Sequence, residues 1–164
     1  VIIEKRMSAQ IEGDFVVFLI GARINKVWKI GQWLPVTRAM SRMLAELAKQ
    51  PELGLLHARL HFSFPDAMVV QYWRSFDHLH RYARDADKAH LPAWRAFNRA
   101  VASSGAVGIW HETFLVKAGQ YEAIYNNMPR YGLGLAGALV PSAGRMNTAK
   151  SRLGDGDGTD HPAP

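Results

Sequence analysis

The residues best suited to chemistry sit on two stretches that alternate like β-strands. In Leu55–Phe64, LLHARLHFSF, the residues Leu56, Ala58, Leu60, Phe62 and Phe64 point one way, and His57, Arg59, His61 and Ser63 point the other. In Val107–Val116, VGIWHETFLV, His111 stands beside Glu112. Neighbours on a strand face opposite ways, so these two are not a catalytic pair. An imidazole titrates near neutral pH and can take a proton from a phenol or enol, which makes His111 a candidate general base. Arg59 carries a planar fork that suits a substrate carboxylate or phenolate, and His61 can hold a further polar substrate group. The plain alternative for His57, Arg59 and His61 is a polar subunit interface with internal ion pairs. His57 and His61 lie two apart on one strand face, but no carboxylates stand at ligating distance in the sequence, so no metal is assigned.

The elements that must position these residues follow from periodicity. Phe15–Ile24, FVVFLIGARI, is a near-continuous apolar run and reads as a strand covered on both faces, with Gly21 marking a bulge or a close backbone approach. Met40, Met43, Leu44 and Leu47 recur at helical spacing, with Arg38, Arg42, Glu46 and Lys49 opposite. Pro35 suits a first turn, which predicts that this helix starts near Leu34 and that VWKIGQW before it is a separate turn. Pro65-Asp66 is a turn, so Leu55–Phe64 and Ala67–Arg74 form a hairpin. Ser75 is a helix cap, with His78 in place of the glutamate of a capping box. A further helix opens near Pro92, with Trp94, Phe97 and Val101 as its buried stripe. His90 stands at the break between the two helices, where it can reach a cavity mouth, whereas His78 and His80 read as solvated.

Composition narrows the function classes. The chain has 164 residues, enough for one domain, and 48% apolar residues, enough for a core. It has no cysteine, which excludes disulfides, thiol nucleophiles and thiolate-held metals and fits a reducing cytosol. The formal charge is +6, but Lys and Arg are scattered without a dense run, so nucleic acid is not an expected partner. Trp28 and Trp33, beside Lys26 and Lys29, are open to a second reading as an anchor at a membrane surface. Residues 1–134 read as the folded domain and 135–164 as a largely disordered tail rich in Gly, Asp and Pro. The stretch Gln120–Met128 is expected to make one or two helical turns that cover a cavity or clasp a dimer.

The element order β-α-β-β-α-β predicts a ferredoxin-like α+β fold, with a four-stranded antiparallel sheet and both helices on one face. The other face needs a partner, and a second copy of the chain, sheet against sheet, would enclose a cavity. His57, Arg59 and His61 are expected on that cavity side, with Ile109, His111 and Thr113 beside them. A hairpin loop of three residues would add Val69, Gln71 and Trp73 to the same side; a loop of two would put Met68, Val70 and Tyr72 there instead. The first arrangement is the one expected. Glu112, opposite, is expected to pair with Arg95 or Arg99 of the last helix.

The runs SFPDAMVVQYWRSFDHLHRYA, HLPAWRAFNR and VGIWHETFLVKAGQYEAIYNNMP, in that order, resemble a bacterial and fungal family of unknown function, numbered 4188, grouped with a monooxygenase of fumagillin-type meroterpenoid biosynthesis. The resemblance spans about residues 15–134. It implies the dimeric α+β barrel superfamily, whose members include cofactor-free monooxygenases and haem enzymes such as aldoxime dehydratases and dye peroxidases. The expected function is therefore a homodimeric, cytoplasmic, monooxygenase-type oxidoreductase for an aromatic, polyketide- or terpenoid-like small molecule. His111, Arg59 and His61 would be catalytic, and His57, Gln71, Trp73, Thr113 and His90 would bind substrate. Cofactor-free chemistry is the first expectation. Haem held by His111 or His61 is the alternative, and a non-catalytic ligand-binding dimer is the competing class.

Overall fold

In the computed structural model, which describes residues 1–85, 87–88, 90–100 and 104–153, the chain runs β1 (Ile3–Gln10), β2 (Phe15–Ile24), α1 (Ile30–Lys49), β3 (Leu55–Ser63), β4 (Asp66–Trp73), α2 (Phe76–Arg84), α3 (His90–Ala100), β5 (Val107–Val116), β6 (Tyr125–Met128), α4 (Leu133–Ala136), β7 (Ala138–Pro141) and α5 (Ala149–Arg152). The four foreseen strands form one antiparallel sheet in the order β3-β4-β2-β5. With α1 between β2 and β3, and α2 and α3 between β4 and β5, this is the ferredoxin-like α+β arrangement. The apolar run of β2 takes a central position, as its two-sided hydrophobicity requires. Gly21 sits in an unbroken ladder and marks a close approach: a Cβ there would collide with the indole of Trp110.

The helices pack one face of this sheet. Leu47 of α1 and Leu79 and Tyr82 of α2 are buried against Val16 and Trp73, while Trp33, Val36 and Phe97 pack beside Val107. Helix α1 begins at Ile30 rather than Leu34, with Pro35 inside it. Trp33 Nε1 donates to the Val27 carbonyl at 2.9 Å, which ties the preceding segment to the helix instead of leaving a separate turn. The Ser75 cap forms as expected: its hydroxyl accepts from the His78 N–H at 3.3 Å and lies 2.8 Å from His78 Nδ1. Pro92 is the third residue of α3. Trp94 is partly exposed and stacks on Phe97; both line the space under the helices, Phe97 alone of the two also packs against the core at Val107, and Val101 lies outside the described residues.

The second face is not left to a partner alone. A three-stranded sheet, β6-β1-β7, packs against Phe15, Val17, Tyr72 and Val116 through Ala9, Tyr121, Tyr125 and Leu133. This corrects two expectations. Tyr125–Met128 is a strand rather than helical turns, and Ala138–Pro141 is a strand rather than part of a disordered tail. Both are recruited by β1, which supplies the ladder that neither could form alone. Arg152 closes the assembly: its guanidinium pairs with Glu122 and donates to the Met146 carbonyl at 2.8 Å. Residues 154–164 lie outside the described residues.

Strand pairing decides which side chains share a face, because directly opposed residues point the same way. Ser63 pairs with Asp66, so the hairpin loop is Phe64-Pro65, two residues. His57, Arg59 and His61 therefore share their face with Tyr72, Val70 and Met68, not with Trp73, Gln71 and Val69 as expected. On the other side of the sheet, Ile20 pairs with both Val69 and His111, and Phe18 with both Gln71 and Thr113. His111 and Thr113 thus lie on the helix-covered face, opposite to His57, Arg59 and His61.

Candidate functional site

A cavity of about 600 Å³ lies between the helix-covered face of the sheet and the helices. Its sheet wall is made by Phe18, Ile20, Leu60, Phe62 and Val69, and its helix wall by residues such as Met40, Leu44, Leu79 and Phe97. Volume and lining are those of a site for a small apolar molecule. The expected location was the space between two sheets. The cavity lies instead beneath the helices.

Two polar side chains rise from the sheet into this space, His111 and Thr113, both on β5. The His111 ring lies 5.6 Å from the ring of Phe18, centre to centre, at 42°. Because β5 is an edge strand, His111 lines the cavity and is also reached by solvent. Such a group can take a proton from a bound molecule and pass it to water. From the helices, Arg42 and His80 reach the same cavity, and His80 stacks on Phe76 at 5.6 Å. No carboxylate lines it among the described residues. Anionic character in a ligand is therefore unopposed there and can be met by a guanidinium.

Sequence reasoning missed Arg42 and His80. Arg42 falls on the polar side of the α1 periodicity, and the cavity is wide enough to reach round to it. His80 follows Leu79, a core residue, and its only sequence cue is Phe76 one turn earlier.

The other expected site residues separate into three groups. Gln71 and Trp73 share the helix-side face but belong to the core and do not line the cavity. Trp73 Nε1 donates to Gln71 Oε1 at 2.8 Å, so each satisfies the other's buried polar group. His90 is the first residue of α3, and its side chain lies outside the described residues. His57, Arg59 and His61 face away from the cavity. The Arg59 guanidinium lies 4.1 Å above the ring of Tyr131. Burial first, and the Arg59 charge second, lower the pKa of His57, and its Nε2 is buried with no hydrogen-bond partner. Burial pushes the Tyr72 phenol up, with Tyr125 and Tyr131 adding to it. Tyr72 packs between the two sheets with Phe15, Val17, Tyr121 and Tyr125, while Arg59 stays exposed at the edge strand β3. Glu112 also lies on this face, opposite to the one the helices cover, and the side chain of Arg99, one of its two expected partners, lies outside the described residues.

The division bears on cofactors. His111 and His61, the two histidines considered as haem ligands, are on opposite faces, and only His111 reaches the cavity. Among the described residues, no three His, Asp or Glu side chains converge as a metal site.

The chain is 31% identical over 126 residues to Monooxygenase af470 of Aspergillus fumigatus, an alignment covering 71% of this chain and 44% of that protein, so the chain spans less than half of its relative's length. Among solved structures, it is similar to SnoaB, a cofactor-independent oxygenase from Streptomyces nogalater, with 17% identity, 62% of this chain and 91% of that chain covered, and a TM-score of 0.45. It is similar also to a dimeric ferredoxin-like protein of unknown function from Thermobifida fusca, with 16% identity, 64% and 93% coverage and a TM-score of 0.45. The family model described as Monooxygenase af470-like matches residues 15–133, from the start of β2 to the start of α4, and the chain belongs to that family.

Proposed function

We propose that this protein is a monooxygenase-type oxidoreductase acting on an apolar, ring-containing small molecule held between the sheet and the helices. The observation that carries the reading is the apolar cavity with His111 on its sheet wall. Family membership supports the reaction class. His111 is the proposed base. It removes a proton from a carbon acidified by an adjacent ring and carbonyl. The carbanion transfers one electron to molecular oxygen, and the radical pair combines to a hydroperoxide. Loss of water then leaves a carbonyl, so a methylene and one oxygen molecule yield a ketone and one water. The substrate supplies the electrons, which is why a cofactor-free scheme is preferred here. Thr113 and Arg42 line the cavity; the proposed role of Thr113 is to steer the reacting group and that of Arg42 to hold a phenolate or carboxylate on the ligand. Arg59, His61 and His57 have no part in this step, since they face the second sheet. A second copy covering the exposed Trp110 and Phe114 is the proposed functional unit.

The test is oxygen uptake with a tricyclic phenolic ketone bearing an activated methylene, with ¹⁸O₂ incorporation read by mass spectrometry. His111→Ala is expected to lower kcat roughly 10²–10⁴-fold, the range of a lost general base, and Arg59→Ala to leave it near wild type. Binding of the probe without oxygen uptake would favour a ligand-binding protein. Equal loss in both variants would remove the assignment of the site to the helix side.

A further inference from the structure

We propose that one end of this domain docks on an anionic phospholipid bilayer. The surface is built from the loop after β2, the first turn of α1 and the tip of the β3–β4 hairpin. Trp28 is 76% exposed, Phe62 67% and Phe64 60%, and Val27 and Ile30 are also exposed. Two hydrogen-bonded junctions bring these segments to the same end of the sheet. The Ile24 N–H donates to the Pro65 carbonyl at 3.0 Å, which places the hairpin tip beside the end of β2. The Asn25 and Lys26 N–H groups both donate to the Ala106 carbonyl, at 2.9 and 3.2 Å, which fixes where the Val27–Ile30 segment departs. The apolar side chains therefore form a protruding rim rather than scattered surface residues.

Charge selects the partner. Lys26 and Lys29 flank Trp28. Arg23 at this end of the sheet is paired with Asp66 of the hairpin at 2.7 Å, so the two lysines give the rim its net positive charge, with Lys26 Nζ also donating to the Ser104 carbonyl at 2.8 Å. An apolar rim with a tryptophan and adjacent lysines suits the boundary between headgroups and acyl chains of an anionic leaflet. A protein partner with an apolar groove would not require this charge asymmetry. Trp33, the other tryptophan of the segment, is excluded as an anchor: it packs against the core and its indole N–H is bound to the Val27 carbonyl. Phe62 belongs both to the rim and to the cavity wall, so docking would set the cavity against the bilayer, where apolar molecules concentrate. Among the described residues no helix is long and apolar enough to cross a membrane.

The test is co-sedimentation of the full chain with vesicles of phosphatidylcholine alone and with about one-third phosphatidylglycerol. It does not depend on the proposed chemistry, and oxygen uptake with a water-dispersed probe is expected to be unchanged in the rim variants. Wild type is expected to sediment with the anionic vesicles and release at high salt. Trp28→Ser with Phe64→Ser should weaken binding about tenfold or more, and Lys26→Gln with Lys29→Gln by a similar factor at about 1 kcal/mol per lysine near the surface. Lys5→Gln with Lys49→Gln, which has the same net charge as the Lys26/Lys29 variant, should bind nearly as wild type. Circular dichroism checks that each variant is folded. Absence of sedimentation, or equal weakening in the two lysine pairs, overturns the proposal. So does a change in oligomeric state on Trp28→Ser with Phe64→Ser while vesicle binding persists, since that outcome marks the rim as a contact between copies.

Discussion

Gln71→Leu separates a substrate-binding role from a structural one. Gln71 and Trp73 are 5% and 1% exposed, and the carboxamide accepts the indole N–H at 2.8 Å. Leucine keeps nearly the same volume but leaves that N–H buried without a partner. An orphaned buried donor costs about 1–3 kcal/mol, and the apolar gain of leucine offsets only part of it, so the net loss should be about 1–2 kcal/mol. For a chain of this size, that corresponds to a Tm lower by about 2–8 °C. Trp73→Phe removes the donor at the cost of a smaller ring, and the double variant has no orphaned group. It should therefore lose about 1–2 kcal/mol less than the sum of the single changes. Urea unfolding followed by tryptophan fluorescence reads all three variants. Strict additivity would refute the hydrogen-bond argument. Unchanged stability of Gln71→Leu with a raised KM would show instead that the carboxamide reaches the substrate, returning Gln71 to the site.

Two further outcomes follow from the layer between the sheets. The Arg152 side chain is 3% exposed, and its partner Glu122 is only partly exposed; Arg152→Ala should cost about 2–4 kcal/mol by leaving that carboxylate unpaired, and the C-terminal segment should become the first site of limited proteolysis. Little loss, with unchanged proteolysis, would mean that β7 and α5 hold without this pair. His57 has its pKa lowered by burial and by Arg59, so the unfolded chain takes up its proton first as pH falls. Stability contributed by the neutral ring is therefore complete above about pH 6.5, the ordinary unfolded value, and is lost below it until the folded group also protonates. A His57→Gln variant should show a flatter stability curve between pH 7 and 5 in urea titrations, and an unchanged slope would rule out His57 as the source.

What could be read from the residues alone was local. Alternation along LLHARLHFSF and VGIWHETFLV identified the strands that carry the histidines, Ser75 marked the start of α2, and the element order specified the ferredoxin-like sheet. Each of these depends on neighbours within a few positions, where side-chain period and capping chemistry act directly. Tertiary structure decided everything that depends on register. A two-residue hairpin loop, where three were expected, moved Gln71 and Trp73 to the face opposite His57, Arg59 and His61. Pairing of β5 with β2 put His111 under the helices. A strand has period two, so one residue of slip reverses every side chain, and no local pattern carries that parity. The second sheet was hidden for the same physical reason. Segments such as YNNM and ALVP have little strand character of their own, and they become strands because β1, more than a hundred residues away in sequence, supplies their hydrogen-bond partners.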